Sequence, residues 1–389
     1  MYVAVRITNF AGGCWPTPHQ ELLLKATLLP TEDAVTAWRG WCANDALERL
    51  DAGSYRLLPL TYRNLQRLGC DDPAMMRLKG VSRRTWCENH VLFQRMAPLL
   101  ARFHDAGIPT LLLKGAALTL LHYRDFALRP MDDLDILVPE DCALDAVSLL
   151  EADGWSRTTL QAVKLEEFFL RYRQSAEFTR PPKDRFDLHW HVLLQACHRN
   201  ADQPFWDASI PVEFEGHHTR CLCATDQLLH CCVHGVAWNA IPPLRWVADA
   251  FWVLESSPVD WQRLVEIAAA CHVVLPLRDA LRYLGNSMQA PVPEAVVKKL
   301  ESMPVSPAEV LEYKYYLKQL ESPGVSETAR VVYAQFRRTV QEKSFFEQAA
   351  AIPVFLQHYW NLGRRRQTIS RTFNYGMRRL RFVWPARTS

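Results

Sequence analysis

The sequence lacks the long hydrophobic runs of a membrane protein. No uninterrupted apolar stretch approaches the roughly 20 residues that a helix needs to cross a bilayer. Residues Met1–Gln20 also lack the basic segment followed by an apolar run that marks a secretory signal peptide. These absences argue against helical membrane proteins and secreted precursors, so we expect a cytoplasmic protein without a transmembrane segment.

The sequence also lacks an even, regularly spaced set of cysteines. Its 11 cysteines are scattered, and several lie inside apolar segments such as Leu229–Val233. Secreted disulfide frameworks are usually short and have an even cysteine count. We therefore predict free thiols in a reducing compartment. The chain shows no internal repeat and no low-complexity tract.

Net charge is nearly absent, but its distribution is uneven. The chain carries +3, of which the segment Asn361–Ser389 contributes +8 through eight arginines and no acidic residue, leaving −5 on the other 360 residues. These arginines are interleaved with aromatic residues such as Phe373 and Trp384. Arginine with aromatics can bind RNA by charge and stacking, so the tail is a candidate nucleic-acid contact. The alternatives are an interfacial helix or a cap on the acidic body.

The residues that are present indicate a large folded core. The chain of 389 residues is 49% hydrophobic, with 13 tryptophans and 17 phenylalanines, which suggests two or three domains. Before about residue 106, apolar residues recur at helical steps, as Leu92, Met96 and Phe103 do on one face. Gly107 then ends that helix. A helical pattern returns after about residue 225.

Between these helical regions, short apolar runs alternate with helical segments over Ile108–Val192. The runs predict four strands, at Pro109–Leu113, Leu134–Val138, Ala176–Thr179 and Arg185–Val192. The pattern predicts an α+β fold with a sheet-containing core at 107–224. That core is embedded between an N-terminal helical region at 1–106 and a C-terminal helical domain at 225–360, and the Arg-rich tail occupies 361–389.

Two aspartates alternate with apolar residues in the second predicted strand. Side chains alternate between the faces of a strand, so Asp133 and Asp135 point the same way while Leu134 and Ile136 enter the core. At about 4 Å, two carboxylates repel by about 1 kcal/mol in water and about 4 kcal/mol at an effective dielectric near 20. A divalent cation removes that repulsion, and Mg²⁺ prefers carboxylate oxygens. The alternative is an exposed strand face with solvated aspartates.

A glycine turn precedes the aspartate pair. Gly115 and Ala116 follow the first predicted strand and open a helix, an arrangement whose backbone N–H groups can bind phosphate. Lys114 beside the turn and Arg129 before the second strand are candidate cations for the same anion. The alternative for Lys114 is a solvated turn lysine.

Three segments together resemble a known family. They are Lys114–Leu118, Arg129–Asp135 and Asp187–Trp190, and they look like the bacterial uncharacterised nucleotidyltransferase family of the polymerase-β-like superfamily. Segments of the helical flanks, Leu57–Leu60 and Leu244–Trp246, also resemble that family, so the likeness spans about Ala52 to Leu254.

The resemblance implies a small mixed sheet and a two-metal transfer reaction. Asp133, Asp135 and Asp187 would hold Mg²⁺, with Mn²⁺ as the alternative, and Asp187 would orient the nucleophile or act as its base. An NTP, expected to be ATP, would donate NMP to a hydroxyl-bearing acceptor and release pyrophosphate. The acceptor would be a small molecule, a peptide or protein side chain, or an RNA end. His189 shares the face of Asp187 and is an acceptor-side candidate, the alternative being a strand histidine satisfied by the fold.

One departure from the family pattern supports a rival reading. The superfamily turn commonly has glycine or serine after the first glycine, whereas this chain has Ala116. The loss of a hydroxyl permits a catalytically weak, antitoxin-like or regulatory module that binds without efficient turnover.

A third hypothesis is a zinc hydrolase. His230 and His234 lie four apart on a predicted helix, as in zinc hydrolases, although no glutamate follows His230. On the next helix, Arg245 and Asp249 have the spacing of an ion pair.

Overall fold

The computed structural model describes residues 13–43, 46–158, 170–171, 173–182, 184–237, 239, 241–317, 325–340 and 344–359. The predicted Arg-rich tail at 361–389 lies outside the described residues. All eleven cysteines lie within them and are free thiols, as predicted.

Within the described residues, five α-helices precede the sheet. They are α1 (Pro18–Leu28), α2 (Glu32–Cys42), α3 (Ala52–Tyr55), α4 (Leu58–Arg67) and α5 (Met75–Asp105). The helix α1 begins with a capping box, in which Thr17 and Gln20 each bind the backbone N–H of the other. The helix α5 ends at Asp105 with Ala106 as its C-cap, and Gly107 follows with a φ of 69°. This confirms the predicted glycine terminus, because that left-handed backbone is accessible to glycine without strain.

The centre of the molecule is a seven-stranded mixed sheet. Its strands are β1 (Leu111–Leu113), β2 (Leu134–Leu137), β3 (Ser156–Arg157), β4 (Ser175–Arg180), β5 (Asp184–His189), β6 (Ile210–Phe214) and β7 (His217–Cys221). The spatial order is β3-β4-β5-β2-β1-β7-β6. The pairs β2–β5 and β1–β7 are parallel, whereas β1–β2, β3–β4, β4–β5 and β6–β7 are antiparallel.

Short helices connect the strands. The helix α6 (Lys114–Leu118) follows β1 at once and continues as a π-helical turn over Thr119–Tyr123. The helix α7 (Ala143–Ala152) joins β2 to β3, and α8 (Gln203–Asp207) precedes β6.

The sheet extends beyond the segment in which strands were predicted. We expected the alternation of strands and helices to end at Val192, and this is wrong, because the hairpin β6–β7 adds two strands. Its turn, Glu215–Gly216, has positive φ at both residues (48° and 82°), which suits a tight hairpin. Pro211 lies in the edge strand β6, where a missing N–H is tolerated.

Helices follow the sheet to the end of the described chain. They are α9 (Ala224–Gly235), α10 (Arg245–Ser256), α11 (Trp261–Ala270), α12 (Val274–Met288), α13 (Glu294–Ser302), α14 (Pro307–Leu317), α15 (Val325–Thr339) and α16 (Phe345–Tyr359). None of the helices in the described ranges is long and apolar enough to cross a membrane.

The two faces of the sheet belong to two hydrophobic cores. Leu134 and Ile136 pack into a core that also contains residues of α5 and α7. Leu113 and Leu137 pack into the other core, which joins the helices before the sheet to those after it. The α+β architecture is thus confirmed. Because side chains alternate, the face of β2 opposite Leu134 and Ile136 points toward the C-terminal helices.

Candidate active site

Two aspartates meet on neighbouring parallel strands. Asp135 of β2 is the register partner of Asp187 of β5, so their side chains project from the same face. The carboxylate of Asp135 is buried, at 5% exposure, whereas Asp187 is partly exposed. The strand pairing therefore brings together two of the three carboxylates predicted from the sequence.

Two donors hold the buried carboxylate. Lys114 Nζ lies 2.6 Å from Asp135 Oδ1, and His189 Nε2 lies 3.1 Å from the same oxygen. Lys114 has a φ of 45°, a left-handed backbone that is rare for a residue other than glycine. Such conformations concentrate at functional sites, where the surrounding fold enforces them. His189 is 2% exposed, and its Nδ1 has no hydrogen-bond partner among the described residues.

The two carboxylates have opposite pKa shifts. Burial alone would raise the pKa of Asp135, but the Lys114 ammonium and the His189 hydrogen bond outweigh it and hold that pKa well below its usual range. Burial raises the pKa of Asp187, and the negative charge of Asp135 raises it further. Asp135 is thus a permanent anion, whereas Asp187 is the more basic carboxylate.

The site has the donor set of a divalent cation. Carboxylate oxygens of Asp135 and Asp187 and a ring nitrogen of His189 lie within 4.8 Å of one another. Within the described part of the chain, no other group of three such side chains comes this close. Carboxylate oxygens suit Mg²⁺ and Mn²⁺, and imidazole suits several transition metals, so these residues fit a divalent ion.

Asp133 lies just before β2 and has a different partner. Its Oδ2 is 3.1 Å from Arg185 Nη2, in an ion pair that is partly exposed on both sides. Among the described residues, the three side chains that could hold a metal ion are Asp135, Asp187 and His189, and Asp133 is not one of them. Its charge still raises the pKa of Asp187. Asp132 points elsewhere and pairs with Arg56 at 2.8 Å.

The glycine turn is packed into the interior. Gly115 and Ala116 are both buried. A Cβ at Gly115 would lie 2.6 Å from Arg129 Nη1 and 2.7 Å from Met131 Sδ, so this position requires glycine for close packing. Of the turn residues predicted to bind phosphate, only Lys114 lines the cavity beside the carboxylates among the described residues.

Arg129 is paired with a buried carboxylate of the protein itself. It is 4% exposed, and its guanidinium donates to both oxygens of Asp249 at 2.8 Å. Tyr123 donates to the same carboxylate at 2.9 Å. This bidentate pair uses Nε and Nη2 of the guanidinium and gives Arg129 a role in packing, and the predicted phosphate-binding role stays a prediction. The predicted ion pair between Arg245 and Asp249 is wrong, because Arg245 instead donates to the Pro130 carbonyl at 2.9 Å.

A cavity of about 370 Å³ opens beside Asp187 and His189. Lys114, Asp187 and His189 line it from the sheet, and His230 and His234 line it from α9. The two α9 rings are stacked with centroids 5.6 Å apart, and burial lowers the pKa of His230. Neither ring joins a third metal-binding side chain in the described ranges, so the zinc-hydrolase hypothesis lacks its third ligand.

Several residues of the site were not identified from the sequence. Ser175 of β4 pairs in register with His189 and lines the cavity. The neighbouring Gln174 also lines the cavity. Glu309 and Glu312 reach the cavity from α14. Arg185, the partner of Asp133, could have been predicted from the sequence, since it precedes Asp187 by two residues and so shares its face of the strand.

A comparison with protein families agrees with this geometry. The family model described as an uncharacterised nucleotidyltransferase matches residues 52–289, which is more than half of the chain. The matched range contains the carboxylates of β2 and β5, Lys114 and both histidines of α9. No curated protein matches the chain.

Proposed function

Because the chain belongs to the uncharacterised nucleotidyltransferase family, we propose that it moves NMP from an NTP to a hydroxyl-bearing acceptor and releases pyrophosphate. Mg²⁺ is the proposed cofactor, with Mn²⁺ as the alternative, and ATP is the proposed nucleotide. The observation that carries this proposal is the register pairing of Asp135 with Asp187 beside Lys114 and His189.

The ligand assignment combines the observed group with the family pattern. Asp135 and Asp187 would hold the cation, and Asp133, whose exposed ion pair with Arg185 is worth little, would complete the set of three carboxylates. When bound there, two divalent ions lower the pKa of the acceptor hydroxyl and neutralise the charge of the triphosphate.

Three side chains have separate proposed roles in the transfer reaction. Asp187, which is partly exposed and lines the cavity, is suited to take the proton of the attacking hydroxyl. His189 fixes the orientation of the Asp135 carboxylate through its Nε2. Lys114 lines the cavity and is the cation best placed to donate to a phosphate oxygen. This arrangement favours in-line transfer over the binding-only alternative, because the anion, the base and the cation stand together.

The test is a transfer assay with a cell extract as the source of acceptor. The protein is incubated with each α-labelled NTP and Mg²⁺, and wild type is compared with Asp135→Asn. The control is Asp141→Asn, since Asp141 is an exposed aspartate away from the site.

A labelled product made by wild type and by Asp141→Asn, but not by Asp135→Asn, supports the proposal. Equal labelling by all three proteins eliminates the site. Nucleotide binding without any labelling would instead favour the regulatory module.

A further inference from the structure

The α9 side of the cavity carries two histidines without a hydrogen-bond partner in the protein. His230 and His234 lie one helical turn apart, line the cavity and stack with ring centroids 5.6 Å apart. His230 is 5% exposed, whereas His234 is open to the cavity. Neither ring hydrogen-bonds to any residue that the structure describes. Because the polar groups of protein interiors are normally paired, two such rings at one cavity indicate a ligand with polar atoms.

Both rings are uncharged at neutral pH. Burial lowers the pKa of His230, and burial together with the nearby Lys114 ammonium lowers the pKa of His234 to about 3. A neutral imidazole donates one N–H and carries no positive charge. The rings can therefore donate hydrogen bonds beside the carboxylates without repelling a divalent cation held there.

Lys114 adds a charged donor to the two rings. It begins α6, which packs against α9, and it lines the same cavity. Its ammonium contacts Asp135 at 2.6 Å, and an ammonium has three N–H groups, so two of them are left for a ligand. A positive charge beside two imidazole N–H groups favours an anion with several acceptor oxygens.

The proposed reaction identifies that anion. Attack by the acceptor places the α-phosphorus at Asp135 and Asp187. The other two phosphates of the NTP then extend into the cavity that Lys114 and α9 border. Negative charge builds up on these two phosphates as they leave, and fixed donors aimed at a group that gains charge stabilise the transition state.

The glutamates of the cavity come from another helix. Glu309 and Glu312 line it from α14, whereas Lys114 and the two rings belong to α6 and α9. Glu309 accepts a hydrogen bond of 3.0 Å from the Leu275 N–H. The phosphates are therefore assigned to the side of the cavity that α6 and α9 form, where the donors lie.

We infer that His230 and His234, together with Lys114, form the subsite for the β- and γ-phosphates of the NTP. The inference rests on the proposed function. The acceptor oxygen forms a bond to the α-phosphorus, the bond from that phosphorus to the bridging oxygen breaks, and the electron pair of that bond leaves with pyrophosphate. The rings donate hydrogen bonds to the leaving group and keep their protons. The hydroxyl proton passes to Asp187 and then to solvent.

The experiment measures the binding of inorganic pyrophosphate, ATP and AMP in the presence of Mg²⁺. Isothermal titration calorimetry is applied to wild type, His230→Leu and His234→Leu. It is also applied to His230→Gln and His234→Gln, in which the amide keeps a donor. The control is His104→Leu, at an exposed position of α5. The midpoint of thermal unfolding is recorded for every protein.

We expect each leucine variant to bind pyrophosphate and ATP about tenfold more weakly than wild type, the effect of losing a hydrogen bond to a charged group. AMP binding should change little, because AMP lacks both phosphates. The glutamine variants should keep most of the pyrophosphate affinity, and His104→Leu should match wild type. Pyrophosphate should also shift the imidazole ¹⁵N resonances of His230 and His234 in wild type, a measurement that needs no variant of the buried ring to fold.

Equal weakening of ATP and AMP binding would overturn the inference, since it would place the rings at the nucleoside. A wild type that does not bind pyrophosphate, or folded leucine variants that bind it as wild type does, would overturn it as well. These results leave the transfer assay untouched, in which a labelled product tests the proposed function. If wild type labels no product and yet binds pyrophosphate through the two rings, the proposed function fails and the phosphate subsite stands.

Discussion

Lys114 and Asp135 form an ion pair at the point where the divalent cation is proposed to bind. The ammonium lies 2.6 Å from a carboxylate that is 5% exposed and that also accepts a hydrogen bond from His189. A lysine that contacts a metal-binding oxygen competes with the metal for it. Lys114 is the counter-ion of Asp135, and its proposed role as a donor to phosphate can be separated from that contact.

Replacing Lys114 should reveal both roles. We expect Lys114→Gln to bind Mn²⁺ about tenfold more tightly in the absence of nucleotide, the equivalent of removing a charged hydrogen bond worth about 1.5 kcal/mol. The same variant should have a higher KM for NTP. Titration of free Mn²⁺ by electron paramagnetic resonance measures the first effect. Weaker Mn²⁺ binding would show that Lys114 supports the metal site rather than competing with it.

Asp187 and Asp135 should differ in what their loss removes. Asp187→Asn deprives the attacking hydroxyl of its base, so kcat should fall by about 10²- to 10⁴-fold while NTP affinity changes little. Asp135→Asn should weaken both metal binding and turnover, because Asp135 is the permanently ionised member of the group. Steady-state kinetics beside Mn²⁺ titration separate the two. Similar kcat values for wild type and Asp187→Asn would remove Asp187 from the mechanism.

Gly115 should tolerate no side chain. The added methyl of Gly115→Ala would meet Arg129 Nη1 at 2.6 Å and Met131 Sδ at 2.7 Å, and Arg129 cannot retreat without disturbing its pair with Asp249. We expect a loss of about 1–3 kcal/mol in the free energy of unfolding, measured by urea denaturation. The matched control is Gly80→Ala in α5, where a methyl meets nothing within 4 Å and should stabilise the helix by up to about 1 kcal/mol. Equal stabilities for the two variants would contradict this account.

The buried pair of Arg129 and Asp249 should behave non-additively. Arg129→Met leaves a buried carboxylate without its partner and should cost about 3–5 kcal/mol of unfolding free energy. The double variant Arg129→Met/Asp249→Leu removes both charges and should cost less than the single change. A double-mutant cycle in urea measures the coupling. A double variant less stable than either single variant would show that the pair is not the main contribution.

The same pair predicts how stability depends on pH. Burial would raise the pKa of Asp249, but Arg129 outweighs it and lowers that pKa below its ordinary value of 3.8. A depressed folded-state pKa adds stability that is fully present above the unfolded pKa and is lost as the pH falls through the folded value. Unfolding of wild type should therefore become easier below pH 3.8, and Asp249→Asn should lack this part of the acid limb. Identical acid limbs in the two proteins would assign the loss to other carboxylates.

Local periodicity was sufficient to predict the strands that carry Asp135, Asp187 and His189. The alternation of side chains predicted that Asp135 and the buried Ile136 lie on different faces of β2. It also predicted that Asp187 and His189 share one face of β5, and the structure has both arrangements. These facts depend only on neighbours in the chain. The hairpin β6–β7 was missed because Pro211 and two adjacent histidines give a weak strand signal at the edge of the sheet.

Contacts between distant residues were beyond the sequence pattern. Asp133 meets Arg185 because β2 and β5 pair within the sheet, and Arg129 meets Asp249 because α10 packs beside the sheet in the folded state. No periodicity records which residues of separate elements will touch. The pair of Arg129 with Asp249 was not predicted for this reason, since its partner lies 120 residues away in the chain.

The position of α14 in the chain divides the lining of the cavity. The family match ends at residue 289, whereas α14 begins at Pro307, so Glu309 and Glu312 lie outside the matched region while Asp187 and His189 lie inside it. One side of the cavity is thus built from residues within the family match, and the other includes residues beyond it.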